Sequence, residues 1–172
     1  MDLSMETLIH NRIKSVIAKV LLSIMLDESL GEFFSDGMLI TNAAIGLSTE
    51  PDGCFVTTRA FENGLVTLKH GEDSLELEGT PDMTLEVIRK TSVVKDTVTR
   101  KELYAAAGVS EYWLVDSTAD HPLLEIFRLR NGKYIATQNH DGWVKSNLFS
   151  RSFRLTSKPG QGGRTQFNLE TK

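Results

Sequence analysis

Hydrophobic residues near the start of the chain recur with the spacing of an α-helix. Over residues 5–29, apolar side chains return every three or four positions, as at Ile13, Ile17 and Leu21, and polar residues separate them. This period predicts one long amphipathic helix. Gly31 is expected to end it, because glycine is typical of the position just after a helix.

Short apolar or alternating segments after this helix predict β-strands. The segment EFFSDGMLIT (32–41) is predicted as a strand, a tight turn at Asp36-Gly37 and a second strand, followed by the loop NAAIGLSTEPDG. GCFVTT then begins another strand. VTL and LELE lie on either side of HGEDS, which predicts a small hairpin within residues 59–80.

The segment PDMTLEVIRK (81–90) has a polar face and an apolar face. Asp82, Glu86 and Lys90 are also four residues apart, a spacing that would align them on a helix. The apolar residues decide between the two structures, because Met83, Leu85 and Val87 alternate with a period of two. We therefore predict a strand whose polar face is either ordinary solvated surface or part of a site.

The second half of the chain predicts a helix, a buried strand and a hairpin. Asp96 is the expected N-cap of the helix TVTRKELYAAA, and Gly108 its expected C-terminal stop. EYWLVD (111–116) is a buried strand, and Asn131-Gly132 is the turn of a hairpin. The whole pattern predicts an α/β (α+β) fold. One domain is expected over residues 1–157, and residues 158–172 add a Gly-rich loop and an edge strand to it.

Composition narrows the function classes. The chain has 172 residues and a net charge of −4, which argues against a broad basic nucleic-acid surface but not against a small basic patch. The sequence has no run of about eighteen apolar residues, so no membrane span is predicted, and we expect no signal peptide. Cys54 is the single cysteine, so no internal disulfide or cysteine-based zinc site is expected. We expect a cytoplasmic protein. The four histidines lack metal-ligand spacing, so His10 is expected at the surface or in a cap.

Two carboxylates on different strands are the best candidates for a metal site. Asp82 and Glu86 lie about 13 Å apart along a strand, too far to share one ion. EPDGCFV resembles TPDMTLEV, since both place Pro-Asp at the entry of a strand. If these strands are neighbours, Asp52 and Glu86 converge on a hard cation such as Mg²⁺. Arg100 and Lys101, on the following helix, are then placed to reach the same point.

A family resemblance covers nearly the whole chain. TPDMTLEVIRKTSVVKDTVTRKELYAAAGVSEYWLVD resembles the signature of the Uma2 family, within the PD-(D/E)XK nuclease superfamily. HNRIK, LGEFFSDGMLITNAAIGLSTEPDGCFV and the tail GWVKSNLF also resemble members of that family. The resemblance implies a restriction-endonuclease-like mixed β-sheet flanked by helices, and a homodimer is a further expectation.

The resemblance also implies roles for individual residues. Asp52 would be the first acid and Glu86 the second, the carbonyl of Val87 would complete the metal shell, and Asp82 and Tyr104 would be supporting residues. The implied function is a Mg²⁺- or Mn²⁺-dependent endonuclease that hydrolyses DNA. The alternatives are a catalytically weakened nucleic-acid-binding or protein-interaction module on the same fold, and a plain metal-binding or oligomeric scaffold.

One position departs from the superfamily pattern. The lysine expected two residues after Glu86 is replaced by Ile88. The resemblance also implies that many family members supply the lysine from the following helix, four residues before the tyrosine of the ELY motif, and that position is Arg100 here. Arginine cannot act as a base, although it can bind a phosphate. Lys101 would substitute only if the helix presents it, since adjacent helix positions are about 100° apart.

Overall fold

The computed structural model describes residues 8–88, 94–117 and 121–172. The predicted long helix is confirmed within this part of the chain as α1 (Leu8–Glu28). Its buried residues include Ile13, Ile17 and Leu21, which follow the predicted stripe. The chain leaves the helix through Ser29, at a φ of 52°.

The described residues form three α-helices, three short 3₁₀ helices and fourteen strands. The other α-helices are α2 (Thr58–Glu62) and α3 (Val94–Ala107). The strands are β1 (Gly31–Ser35), β2 (Leu39–Asn42), β3 (Leu47–Thr49), β4 (Gly53–Thr57), β5 (Val66–Leu68), β6 (Glu76–Gly79), β7 (Met83–Ile88), β8 (Glu111–Asp116), β9 (Leu123–Arg130), β10 (Lys133–Ala136), β11 (Asn139–His140), β12 (Trp143–Ser146), β13 (Arg151–Pro159) and β14 (Thr165–Thr171).

A six-stranded mixed sheet forms the centre of the fold, with the order β1-β4-β7-β8-β9-β10. β7 and β8 are parallel and the other neighbours are antiparallel. Parallel neighbours need a crossover connection, and α3 lies within it. This architecture confirms the predicted mixed sheet with flanking helices.

Two smaller sheets pack beside the central one, with the orders β3-β2-β6-β5 and β11-β12-β13-β14. The turn at Asp36-Gly37 is where predicted, but its two strands do not form a hairpin. β1 pairs with β4, whereas β2 pairs with β3 and β6 in a different sheet. The turn therefore carries the chain from one sheet to another.

Several local predictions are corrected. The segment predicted as a loop after residue 42 contains β3, and α2 was not predicted. Asp96 lies inside α3, so it is not the N-cap. The predicted end of α3 is confirmed, since Gly108 follows the helix at a φ of 84°. Lys90 lies outside the described residues.

The two faces of the central sheet pack against different partners. One face, with Leu85, Val87 and Trp113, packs against α1 and the C-terminal sheet. On the other face, Cys54 and Val56 pack against the β3-β2-β6-β5 sheet, while Tyr112 packs with Tyr104 of α3. Among the described residues, no helix is long and apolar enough to cross a membrane.

Candidate active site

Asp52, the residue just before β4, lies opposite Glu86 on the neighbouring strand β7. β4 and β7 are antiparallel, with Gly53 paired to Leu85, so one step further along the strands lie Asp52 and Glu86. The backbone N–H of Val87 donates a 2.7 Å hydrogen bond to Asp52 Oδ2. The strand pairing assumed from the sequence is therefore present, and it brings the two acids next to each other where β4 begins.

Glycine follows Asp52 for a packing reason. A Cβ atom at Gly53 would lie 2.8 Å from Cζ of Phe33, closer than real Cβ contacts. The absence of a side chain leaves room for the Phe33 ring of β1 over the start of β4.

Glu86 is a buried carboxylate held by two donors. It is 3% exposed. Arg100 Nη1 donates to Glu86 Oε2 at 2.6 Å, and the Tyr104 hydroxyl donates to Oε1 at 2.7 Å. Burial raises the pKa of Glu86 to about 7, and the negative charge of Asp52 adds to this, although Arg100 and Tyr104 oppose it. At this site, Glu86 is therefore stabilised either by taking up a proton or by an additional cation bound next to its carboxylate.

Asp52 is held in its ionised form by residues of α1. His10 Nε2 lies 3.2 Å and Lys14 Nζ 3.4 Å from Asp52 Oδ1. Burial on its own would raise the pKa of Asp52. The hydrogen bonds from His10 and the Val87 N–H, together with the positive charge of Lys14, outweigh burial and lower this pKa. The two acids therefore have their pKa values displaced in opposite directions.

Lys14 and His10 are the site residues that sequence reasoning missed. Lys14 also donates to Asp36 Oδ2 at 2.8 Å, so it links the turn after β1 to the first acid. Both α1 residues are nearly buried, at 9% and 8% exposure. The available signal was a lysine and a histidine four residues apart beside the apolar stripe, since i and i+4 share one helix face.

Two of the predicted site residues lie elsewhere. Lys101 places Nζ 3.4 Å from the centre of the Phe127 ring, whereas its neighbour Arg100 contacts Glu86. Asp82 lies at the opposite end of β7, where its Oδ2 accepts a 2.7 Å hydrogen bond from the backbone N–H of Thr57. Asp82 therefore ties β7 to the start of α2 instead of joining the acidic pair.

The carboxylate oxygens of Asp52 and Glu86 suit a partly hydrated hard cation. Mg²⁺ is typically held by one or two carboxylates, with waters and substrate phosphate as the other ligands. Asp52 and Glu86 fit this donor set. The described residues contain no group of three or more His, Cys, Asp or Glu side chains able to enclose a metal. Cys54 is fully buried, and burial raises the pKa of its thiol to about 12, which disfavours the thiolate form.

Comparisons with known proteins place the chain in a family. No curated protein sequence matches it. A solved structure from Anabaena variabilis ATCC 29413, described as "a putative nuclease belonging to DUF820", shares the fold at a TM-score of 0.67 and 17% sequence identity. The match covers 87% of this chain and 78% of that one. The model of the Uma2 family, described as "Putative restriction endonuclease", matches residues 3–157. The chain belongs to the Uma2 family, whose description is that of a nuclease.

Proposed function

We propose that this protein is a metal-dependent endonuclease that hydrolyses DNA phosphodiester bonds at the site formed by Asp52, just before β4, and Glu86 of β7. The juxtaposition of Asp52 and Glu86 is the observation on which the proposal rests. Their opposite pKa displacements are typical of functional sites, where neighbouring acids are tuned to different roles. The family description supports the reaction class, and fold alone would not.

Asp52, Glu86 and the carbonyl of Val87 would hold the Mg²⁺ or Mn²⁺ ion. Such an ion, when bound, lowers the pKa of a coordinated water and offsets negative charge on a phosphate. Glu86 is suited to this task, because its buried carboxylate is incompletely compensated by its protein donors. Asp52 is already ionised and oriented by the Val87 N–H.

Positive side chains would then orient the phosphate. The Arg100 side chain is 50% exposed, so its remaining N–H groups can donate to phosphate oxygens while Nη1 contacts Glu86. Lys14 places an ammonium group beside Asp52, from α1 instead of from β7. This group compensates for the lysine that Ile88 replaces.

One feature of the site favours a second candidate function, that of a binding module without catalysis. Both oxygens of Glu86 are already bonded within the protein, to Arg100 and Tyr104. An ion would have to share or displace these contacts. If it does not, the protein is a nucleic-acid-binding or protein-interaction module that keeps the acids for structural reasons.

Cleavage of plasmid and oligonucleotide DNA with Mg²⁺ or Mn²⁺ tests the proposal. We expect the wild type to cut, and Asp52→Asn and Glu86→Gln each to lose at least about a hundredfold in rate. Glu78→Gln is the matched control, because Glu78 is an exposed strand carboxylate outside the site. A wild type that cuts no DNA with either ion, or a Glu86→Gln variant that cuts as fast as Glu78→Gln, would overturn the proposal.

A further inference from the structure

A groove lined by basic side chains lies between the β9–β10 hairpin and the C-terminal sheet. Its volume is about 570 Å³. Four cationic side chains line it. Arg128 and Arg130 belong to β9, Lys145 belongs to β12, and Lys172 follows β14. None of the described lining residues is acidic, although the chain as a whole has a net charge of −4. The positive charge is therefore concentrated at this place.

The strand pattern explains why these residues face one groove. Arg128 and Arg130 are two positions apart on β9, so they share a face, and Ile135 of β10 lies opposite Arg128. Trp143 and Lys145 share a face of β12 in the same way. Arg128 Nη2 donates a 2.9 Å hydrogen bond to the Lys145 carbonyl, which joins the two walls.

Two of the side chains that line the groove carry a buried polar atom. Arg128 Nε and Thr137 Oγ1 are buried, and neither has a hydrogen-bond partner in the described part of the chain. Buried polar atoms are normally satisfied, so an exception calls for a missing water, ion or ligand. Both the Arg128 guanidinium and the Thr137 hydroxyl belong to groove-lining residues, and both can donate hydrogen bonds to an oxygen-rich anion.

The four cations also lack internal compensation. Within the described residues, no ion pair involves Arg128, Arg130, Lys145 or Lys172. Nearby Arg154, by contrast, is paired with Glu170. Like charges gathered in one groove repel each other, and a bound polyanion removes this cost.

We infer that this basic groove binds the phosphate backbone of a nucleic acid. The choice of a nucleic acid as the ligand rests on the proposed nuclease function. Arg128 and Arg130 are roughly 6–7 Å apart along β9, a spacing similar to that of successive phosphates on one strand. Because these two positions are separated along the strand, they suit two phosphates better than one small anion. The ring of Trp143, with Lys172 Nζ 4.2 Å from its centre, forms part of the wall.

Binding measured without cleavage tests this inference. The probes are fluorescein-labelled oligonucleotides, single-stranded and duplex, titrated by fluorescence anisotropy in EDTA. The variant is Arg130→Ser with Lys145→Ser, since both side chains are exposed. Lys19→Ser with Arg59→Ser is the control, because it removes the same charge from exposed positions on α1 and α2. Thermal unfolding by circular dichroism checks that each variant folds.

We expect the groove variant to bind roughly tenfold more weakly at about 100 mM salt. The slope of log K against log salt should fall by about 2, since each phosphate contact contributes about 1. The control should change both quantities much less. Equal weakening in both variants would overturn the inference, because binding would then depend on net charge alone.

Other outcomes separate this inference from the proposed function. If the wild type cuts DNA but the groove variant binds and cuts as it does, the groove inference fails and the nuclease proposal stands. If the groove variant loses binding and the wild type never cuts, the groove stands and the nuclease proposal fails. Flotation with phosphatidylserine vesicles is the last arm. Loss of vesicle binding in the groove variant, with no oligonucleotide binding by the wild type, would overturn the inference in favour of a lipid surface.

Discussion

The backbone N–H of Val87 donates a 2.7 Å hydrogen bond to the Asp52 carboxylate, which joins the residue after the second acid to the first acid. One contact thus aligns the two strands and orients Asp52. The same carboxylate receives His10 and Lys14 on its other oxygen. Structure and proposed chemistry therefore overlap at Asp52, and substitutions there have to be chosen to separate them.

Replacement of Asp52 is expected to separate stability from activity. Asp52→Ala leaves the Val87 N–H without its acceptor, so the free energy of unfolding should fall by roughly 1–3 kcal/mol. Asp52→Asn keeps an acceptor oxygen and should lose less stability, although both variants lose cleavage. Urea unfolding and DNA cleavage measure the two effects. Equal stability of the Ala variant and the wild type would contradict the structural role.

Lys14 is expected to matter for cleavage through its charge. Lys14→Met removes the ammonium group beside Asp52 and should slow cleavage on the order of a hundredfold. Lys14→Arg keeps the charge and is expected to retain more activity. Rates at saturating DNA and metal measure the effect, since a change in kcat with little change in KM indicates a role beyond folding. Wild-type rates in the Met variant would remove Lys14 from the proposed site.

The adjacent residues Arg100 and Lys101 provide a matched pair. Arg100→Gln removes the guanidinium that contacts Glu86, and we expect a cleavage loss on the order of a hundredfold. Lys101→Gln should change the rate by only a few fold, because Lys101 packs over Phe127. Parallel cleavage assays of both variants make the comparison. A larger loss for Lys101→Gln would mean that α3 presents the other side chain to the substrate.

Glu86 predicts a pH dependence of stability in metal-free protein. Its pKa is about 7 in the folded protein, against 4.5 as the usual value, so the folded state binds more protons between these pH values. The Glu86 contribution is therefore fully present below about pH 4.5 and is lost as pH rises to about 7, by on the order of 3 kcal/mol. Urea unfolding in EDTA at about pH 5 and pH 8 measures it. Glu86→Gln should lack this dependence. If that variant showed the same pH profile of stability as the wild type, the dependence would not come from Glu86.

Glu111 is expected to be a structural carboxylate. It is 1% exposed and accepts hydrogen bonds from the Trp113 ring, the Ser146 hydroxyl and the backbone N–H groups of Asn147 and Leu148. Glu111→Ala leaves these donors unpaired and should lower the free energy of unfolding by roughly 3 kcal/mol or more. Glu111→Gln keeps one acceptor oxygen and should lose less. Chemical denaturation checks both, and a loss below about 1 kcal/mol in the Ala variant would contradict this role.

Local patterns in the sequence determined most of the elements. The period of Ile13, Ile17 and Leu21 indicated α1, and the alternation of Met83 and Leu85 indicated β7, because each element imposes its own repeat on the side chains that it buries. The Asn131-Gly132 turn was equally clear, since both residues adopt the positive φ that a tight hairpin requires. Strand spacing also correctly kept Asp82 away from Glu86.

Tertiary structure alone decided which elements meet. The turn at Asp36-Gly37 was predicted, but the separation of β1 and β2 into two sheets depends on β4 and β6, which lie far away in sequence. The arrival of Lys14 at Asp52 depends on how α1 is rotated against the sheet, and helical periodicity does not specify that rotation. The choice of Arg100 over Lys101 has the same origin, because neighbouring helix positions point about 100° apart and only packing selects one.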